Sequence, residues 1–227
     1  MADAPTLSIR RDWPRPDAAT LAAFAAVPTG WVVDAQGRRG ALHHAIHALT
    51  RATRIVGHAL PVWSRARDNL APYAALSVAR PGDVLMVATD AHEASSVVGD
   101  IMLGMARNAG VTGFVTDGLA RDLPGLDAVG IPVFARGISP NSPMKDGPGT
   151  VGLPIVLGGV AIAAGDLVVA DGDGVVVVPL AAAAAVLAGL AEVRAKEAAM
   201  DDAVRAGAAE PGWLAERLAR PDVRFLD

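Results

Sequence analysis

The chain has 227 residues with a formal net charge of −4, 52% apolar residues and 19% charged residues. This length suits one domain with a sizeable core, and the high apolar fraction excludes intrinsic disorder. Cysteine is absent, which excludes disulfides, thiolate zinc sites and a cysteine nucleophile. The acidic balance argues against nucleic-acid binding, and no uninterrupted apolar run predicts a membrane span. We therefore expect a cytoplasmic protein that binds neither nucleic acid nor membrane.

The first half of the chain predicts two helices and two strands after a polar start. Residues 1–16 are punctuated by proline, which indicates an N-terminal arm. The pattern at 17–27 predicts a helix capped by Asp17, and the glycine-containing stretch 30–40 predicts a turn region. Beyond it we expect a strand at 54–63, a helix at 68–79 and a strand at 83–89.

The second half alternates short helices with apolar strands and then becomes rich in Val and Ile. We expect a helix at 100–109, a strand at 111–116, a polar turn at 117–122, a helix at 123–129 and a strand at 131–135. The runs at 153–164 and 167–178 contain glycine turns and predict two hairpins. An alanine-rich helix at 180–200 and a helical tail at 201–227 follow. Strands joined through short helices indicate an α/β fold.

Charged residues gather at the ends of the central elements. Gly99 and Asp100 begin a predicted helix, and the first N–H groups of a helix attract an anion. The turn 117–122 begins with Asp117 and ends with Arg121 and Asp122. Arg121 can hold a carboxylate or keto oxygen through two hydrogen bonds. Asp122 beside it offers oxygen ligands to a hard cation, Mg²⁺ or Mn²⁺. Each of these residues also has a structural interpretation, as a helix cap or a turn residue.

Several familiar functional signatures are absent. The sequence has no P-loop, no G-x-G-x-x-G dinucleotide loop and no G-x-S-x-G elbow, so a methyltransferase with a nucleotide-type glycine loop is disfavoured. The lysines Lys145 and Lys196 leave a Schiff-base mechanism open but poorly supported. His43 and His47 have the spacing of metal ligands on one helix face, but no third ligand accompanies them. A surface role is the stronger interpretation for both histidines.

The segment GDIMLGMARNAGVTGFVTDGLARD, residues 99–122, resembles the central motif of the RraA-like family. This family includes the class II 4-hydroxy-4-methyl-2-oxoglutarate/4-carboxy-4-hydroxy-2-oxoadipate aldolases. The similarity continues at 132–140, 147–179 and 196–199. The resemblance implies an α-β-β-α sandwich resembling the phosphohistidine swivelling domain. It also implies a homotrimer, or a homohexamer made of two trimers.

The resemblance divides the chain and implies a role for each matching residue. The RraA-like aldolase domain would span 17–200, between an N-terminal arm (1–16) and a C-terminal helical tail (201–227). The backbone amides of four residues would bind the pyruvyl part of the substrate: Gly99, Asp100, Ile101 and Met102. Arg121 would contact the pyruvyl oxygens, Asp122 would be the protein ligand of the divalent cation, and Asp100 would anchor a water on that cation. Glu197 would reach the metal site of a neighbouring subunit.

Two functions from different classes are compatible with this resemblance. The first is a divalent-metal-dependent lyase that cleaves a 4-hydroxy-2-keto acid to pyruvate through an enolate, with oxaloacetate decarboxylation as a side activity. The second is a protein-binding regulator of a ribonuclease, in which catalysis is incidental. The joint presence of Arg121, Asp122 and Glu197 favours the enzyme, because an adaptor needs no cation site. We therefore expect a small 2-keto acid as the ligand and further copies of the chain as partners.

Overall fold

The structure is a computed structural model that describes residues 5–226. The strands are β1 (Leu7–Ile9), β2 (His47–Ala48), β3 (Ile55–Ser64), β4 (Asp83–Ala88), β5 (Ser96–Val98), β6 (Gly113–Thr116), β7 (Leu119–Ala120), β8 (Val133–Ala135), β9 (Gly149–Val151), β10 (Ile155–Leu157), β11 (Val160–Ile162), β12 (Leu167–Asp171) and β13 (Gly174–Val178). The α-helices are α1 (Ala18–Phe24), α2 (Thr29–Ala35), α3 (Leu70–Ala75), α4 (Asp100–Asn108), α5 (Leu123–Val129), α6 (Ala183–Arg205) and α7 (Leu214–Leu218).

The strands form one large sheet and two small ones. The large sheet follows the order β1-β9-β3-β4-β6-β8-β2, and the hairpin β12–β13 joins it by pairing with the first half of β3. The four central strands β3, β4, β6 and β8 are parallel neighbours. Their carboxyl ends therefore meet at one edge, the usual place for a binding site in an α/β sheet. The pairs β10–β11 and β5–β7 form the small sheets.

Three apolar clusters separate four layers of secondary structure. The first lies between the helices α3, α4 and α5 and one face of the central strands. The second lies between the other face of those strands and the hairpins β10–β11 and β12–β13. The third joins the outer face of β12–β13 to α1, α2 and α6. The predicted α/β fold, an α-β-β-α sandwich, is confirmed.

The strand β13 shows why the sequence can build two clusters from one run of valines. Val175 and Val177 belong to the second cluster, whereas Val176 and Val178 belong to the third. Successive side chains of a strand point to opposite faces, so an unbroken apolar run suits a strand that is covered on both sides.

Most predicted elements agree with the structure. The helix expected at 17–27 is α1, and Asp17 caps it by accepting a hydrogen bond of 2.7 Å from the N–H of Thr20. The helix expected at 123–129 is α5. The two predicted hairpins are β10–β11 and β12–β13, with their turns at the glycines. These elements depend on local signals, such as a capping residue or a glycine turn, which can be recognised in a single sequence.

Two local predictions were wrong, and the less favoured alternative for His43 and His47 is not found; both side chains are exposed, as expected. The stretch 30–40 was predicted as a turn region, but α2 occupies its first half, because Val32 is buried and α2 packs on α6 despite Gly30. The polar turn 117–122 contains β7, whose two apolar residues are buried beside β5. The histidine pair does not share a helix face, because His47 lies on β2 and no helix includes residues 41–48.

The described part of the N-terminal segment lies against the domain. Strand β1 pairs with β9 in parallel, and Trp13 is buried in the first cluster. Arg15 donates two hydrogen bonds of 3.0 Å to the buried carboxylate of Asp83. Among residues 5–226, no single helix has the length and apolar composition needed to cross a membrane; α1 and α2, bent by 109° at their junction, meet that criterion only as a pair.

Candidate functional site

A cavity of about 70 Å³ lies at the amino-terminal end of α4. An enclosed water needs about 10–15 Å³, so this volume suits a small organic acid. Six lining residues are those that the sequence analysis singled out: Gly99, Asp100, Ile101, Met102, Arg121 and Asp122. The structure thus brings the predicted pyruvyl-binding and catalytic residues together in one chain.

The pairing of two short strands creates this site. Strands β5 and β7 are parallel, with Ser96 opposite Leu119 and Val98 opposite Ala120. The N–H of Arg121 continues the pairing by donating a 3.0 Å hydrogen bond to the carbonyl of Val98. Because both strands end at the same edge, the first turn of α4 and the two residues after β7 become neighbours.

Gly99 allows the close approach of these neighbours. A Cβ atom at this position would lie 2.5 Å from Oδ2 of Asp122 and 3.1 Å from Nε of Arg121. The glycine has extended backbone dihedrals, so it is needed for space rather than for an unusual conformation. Gly125 plays the same part for Asp100, whose carboxylate would collide with any Cβ at position 125.

Arg121 and Asp122 form a partly exposed ion pair at the cavity. Nε of Arg121 lies 3.1 Å from Oδ2 of Asp122, and the two side chains are 36% and 41% exposed. Nη1 of Arg121 donates a 2.6 Å hydrogen bond to Oγ of Ser142. Within residues 5–226, Nη2 of Arg121 and Oδ1 of Asp122 have no hydrogen-bond partner, so both atoms are available to a ligand.

Asp122 differs from an ordinary helix cap in its backbone conformation and in its side-chain contacts. It precedes α5 with φ of 62°, in the left-handed region that non-glycine residues rarely adopt. Its side chain makes no capping hydrogen bond to the helix. A strained backbone of this kind is held in place by its surroundings and is common at binding sites.

Asp100 engages one of the amides that were predicted to bind the substrate. Its Oδ1 accepts a hydrogen bond of 2.7 Å from the N–H of Ile101. That amide is therefore satisfied within the chain. The other N–H groups of the first helical turn lack intrahelical partners, as at any helix start.

Two acidic residues of the sequence analysis lie outside the cavity. Asp117 is buried, where it accepts hydrogen bonds of 2.6 Å from the N–H of Thr89 and 3.1 Å from the N–H of Ala91. It supports the loop after β4, which agrees with the structural interpretation of the turn. Glu197 lies on the exposed half of α6, in a separate hollow. Its contact with the metal site of a neighbouring subunit stays a prediction.

The cavity also contains residues that the sequence analysis did not assign to this site. They are Asn69, Tyr73, Ser142 and Lys145. Asn69 and Tyr73 come from the start of α3, and the other two from the segment between β8 and β9, which reads only as a loop. Neither stretch contains a recognisable motif. The scarcity of lysine, which draws attention to Lys145, is the one feature of the sequence that could have indicated a role in this site.

The donor set of the cavity suits one kind of metal ion. The described residues contain no group of three His, Cys, Asp or Glu side chains that would hold a metal by themselves. Asp122 supplies a free carboxylate oxygen, and Asp100 lines the same cavity. A hard cation such as Mg²⁺ keeps several waters and uses one or two carboxylates, so these residues fit it better than a metal with many protein ligands.

Comparison with known proteins identifies the family. Residues 29–177 match the RraA-like family, described as Aldolase/RraA. The chain belongs to this family. A protein of Halalkalibacterium halodurans named "Putative 4-hydroxy-4-methyl-2-oxoglutarate aldolase" is 37% identical over 156 residues, which are 69% of this chain and 74% of that protein. The predicted family is thus confirmed.

Solved structures agree with this family and its fold. An uncharacterized protein of Pseudomonas syringae matches with a TM-score of 0.76 and 29% identity, over 87% of this chain and 97% of the other. A Streptomyces coelicolor protein, described as an unusual member of the RNase ES inhibitor RraA protein family, matches with a TM-score of 0.72 and 28% identity. That match covers 82% of this chain and 98% of the other.

Proposed function

We propose that this RraA-like protein is a divalent-metal-dependent lyase that cleaves a 4-hydroxy-2-keto acid, such as 4-hydroxy-4-methyl-2-oxoglutarate, to pyruvate. The observation that carries the proposal is the pairing of Arg121 with Asp122 in one cavity with the first turn of α4. The name of the Halalkalibacterium halodurans relative supports the same chemistry. Decarboxylation of oxaloacetate produces the same enolate, so we expect it as a side activity.

The reaction needs positive charge where the substrate becomes an enolate. Breaking the bond between C3 and C4 leaves an electron pair that delocalises onto the keto oxygen at C2. Arg121 provides a fixed guanidinium with a free Nη2 for that oxygen, since Nε and Nη1 are held by Asp122 and Ser142. The N–H groups at the start of α4 offer further donors to the substrate carboxylate.

The cation and the proton acceptor complete the proposed site. A bound Mg²⁺ or Mn²⁺ would supply a Lewis acid for the keto and carboxylate oxygens. Asp122 would hold it, and Glu197 of a second copy of the chain would contribute from outside. Because Asp122 is assigned to the cation, we assign Asp100 to hold the water that receives the C4 hydroxyl proton.

The proposal is tested by pyruvate release from a panel of 4-hydroxy-2-keto acids and oxaloacetate, with Mg²⁺ and with a chelator. We expect Arg121→Ala and Asp122→Ala each to lower kcat/KM at least about 100-fold, as the loss of a transition-state donor does. The exposed residues Arg39 and Asp173 provide the matched controls Arg39→Ala and Asp173→Ala, which should retain activity. Near wild-type turnover in either site variant, or turnover that ignores the chelator, would contradict the proposal.

The ribonuclease regulator remains the second candidate. The Streptomyces coelicolor structure supports it, because that protein is described as a member of an RNase inhibitor family. A regulator would work through its surface and would not need the Arg121–Asp122 pair. Absence of turnover on the whole panel, together with tight binding to a ribonuclease, would favour this function over the lyase.

A further inference from the structure

The cavity has a second wall that the proposed mechanism does not use. It consists of Asn69, which precedes α3, Tyr73 within α3, and Lys145 in the segment between β8 and β9. The pyruvyl end of the substrate is assigned to Arg121 and the start of α4. This second wall is therefore available to the remainder of the substrate.

The backbone around Lys145 is firmly anchored, although its side chain is exposed. On one side, Met144 accepts a hydrogen bond of 3.0 Å from the N–H of Asn69. On the other side, the N–H of Asp146 donates a 2.7 Å hydrogen bond to the buried carboxylate of Asp68. Lys145 thus projects from a fixed point, as a recognition residue requires.

The charge of Lys145 is not neutralised by a carboxylate in the described part of the chain. Its Nζ lies 5.9 Å from the centre of the Tyr73 ring, within reach of a cation–π contact. The other lysine differs, because Nζ of Lys196 forms an ion pair of 2.6 Å with Glu192. Asp100 and Asp122 line the same cavity, but neither forms an ion pair with Lys145, so its ammonium group suits an anionic ligand group.

Asn69 gives an independent sign that this wall receives a ligand. The residue is 5% exposed, and its Nδ2 donates a 3.1 Å hydrogen bond to the carbonyl of Val97. Its Oδ1 is buried and has no donor among residues 5–226. Buried polar atoms are normally paired, and Asn69 lines the cavity, so a ligand hydroxyl group is a candidate donor to this oxygen.

We propose that Lys145 is a specificity-determining residue, which binds a carboxylate at the end of the substrate away from Arg121. The inference rests on the proposed function, because it takes the pyruvyl end to be held by Arg121. It assigns Lys145 a role other than that of a Schiff-base nucleophile. Such a nucleophile requires a desolvated pocket, and Lys145 is exposed.

The test compares two ligands that differ only at the distal end. Calorimetry in the presence of Mg²⁺ would measure the affinity of 2-oxoglutarate, which ends in a carboxylate, and of 2-oxopentanoate, which ends in a methyl group. We expect the wild-type protein to bind 2-oxoglutarate at least about tenfold more tightly, the size of one charge-assisted hydrogen bond. Lys145→Gln should reduce this preference to within about threefold, and Lys145→Arg should retain most of it.

The controls separate this inference from the proposed function. Arg11→Gln removes one exposed positive charge on the N-terminal segment and should leave the preference unchanged. A wild-type protein without a preference, or a preference that survives Lys145→Gln, would overturn the inference. So would a pyruvyl group trapped on Lys145 by borohydride. Absence of pyruvate release would refute the lyase proposal alone, because the binding preference is measured without turnover.

Discussion

At the scale of single residues, the candidate site depends on the glycine at position 99 as much as on its charged side chains. Gly99 has no Cβ, and the carboxylate of Asp122 occupies the space that a Cβ would need. Asp122 in turn keeps its left-handed backbone without a capping hydrogen bond. The ion pair of Arg121 and Asp122 is therefore positioned against the backbone of a neighbouring strand end.

We predict that Gly99→Ala damages the site without unfolding the protein. The added methyl group forces the carboxylate of Asp122 and the guanidinium of Arg121 away from their positions. Pyruvate release should fall at least about tenfold in kcat/KM, since small displacements of catalytic groups are costly. Thermal unfolding should show a cooperative transition that remains close to the wild-type Tm.

Gly30→Ala is the matched control for this prediction. A Cβ at position 30 meets no atom within 4 Å, and the residue lies in α2. Alanine in a helix is favoured over glycine by about 0.5–1 kcal/mol, so this variant should be slightly more stable and fully active. Equal activity of the two glycine variants would contradict the role of Gly99.

At the scale of elements, one buried ion cluster ties the N-terminal segment to the central sheet. Asp83 begins β4, and its carboxylate accepts hydrogen bonds from Arg15 at 3.0 Å and from Nδ1 of His58 at 2.6 Å. Burial by itself would raise the pKa of Asp83. The hydrogen bonds from His58 and Arg15 outweigh burial and hold the pKa of this carboxyl below its usual value.

We predict a specific acid dependence of stability from this cluster. Because the pKa of Asp83 is lowered in the folded state, its contribution to the free energy of unfolding is complete above pH 3.8, the ordinary pKa. The contribution is lost as the pH falls through the pKa of the folded state. Asp83→Asn should therefore cost about 3 kcal/mol at pH 7, as breaking a buried ion pair does. The difference in the free energy of unfolding between this variant and the wild-type protein should shrink below pH 3.8.

Urea unfolding at a series of pH values measures this dependence. Asp127→Asn is the control, because Asp127 pairs with Arg51, whose side chain is 93% exposed. Exposed ion pairs contribute about 0–1 kcal/mol, so the control should lose little at any pH. An Asp83→Asn penalty that stays constant between neutral and acid pH would refute the assignment.

At the scale of the whole molecule, the site lies close to an exposed apolar surface. Ile101 and Met105 share one face of α4 and are 66% and 48% exposed, whereas Met102 and Leu103 of the same helix are buried. Exposed apolar side chains beside a cavity suit contact with another subunit. Glu197 lies in a separate hollow of the same chain, so its predicted role depends on a trimer or hexamer.

Complementation between inactive variants tests this arrangement. Asp122→Ala and Glu197→Gln should each reduce pyruvate release strongly when assayed alone. Oligomers assembled from a mixture of the two variants should regain activity, because some sites then combine an intact Asp122 with an intact Glu197 from the adjoining chain. Activity that does not rise on mixing, or a protein that is monomeric by light scattering, would contradict a shared site.

The sequence by itself determined the elements with local signals and one half of the candidate site. The Asp17 cap, the helix at 123–129 and the two glycine hairpins depend on residues a few positions apart. The cavity residues from Gly99 to Asp122 belong to one continuous motif of the chain. Their resemblance to a family motif was visible before any contact was known.

Only the tertiary structure decided the other half of the site. Asn69 and Lys145 lie outside the motif, on either side of it in the chain, and backbone hydrogen bonds between their two segments place them at the cavity. Strand β7 likewise exists because β5 lies beside it. The physical reason is that these contacts are stabilised by residues from other segments of the chain. The sequence around each of these positions therefore contains no periodic pattern that would predict the contact.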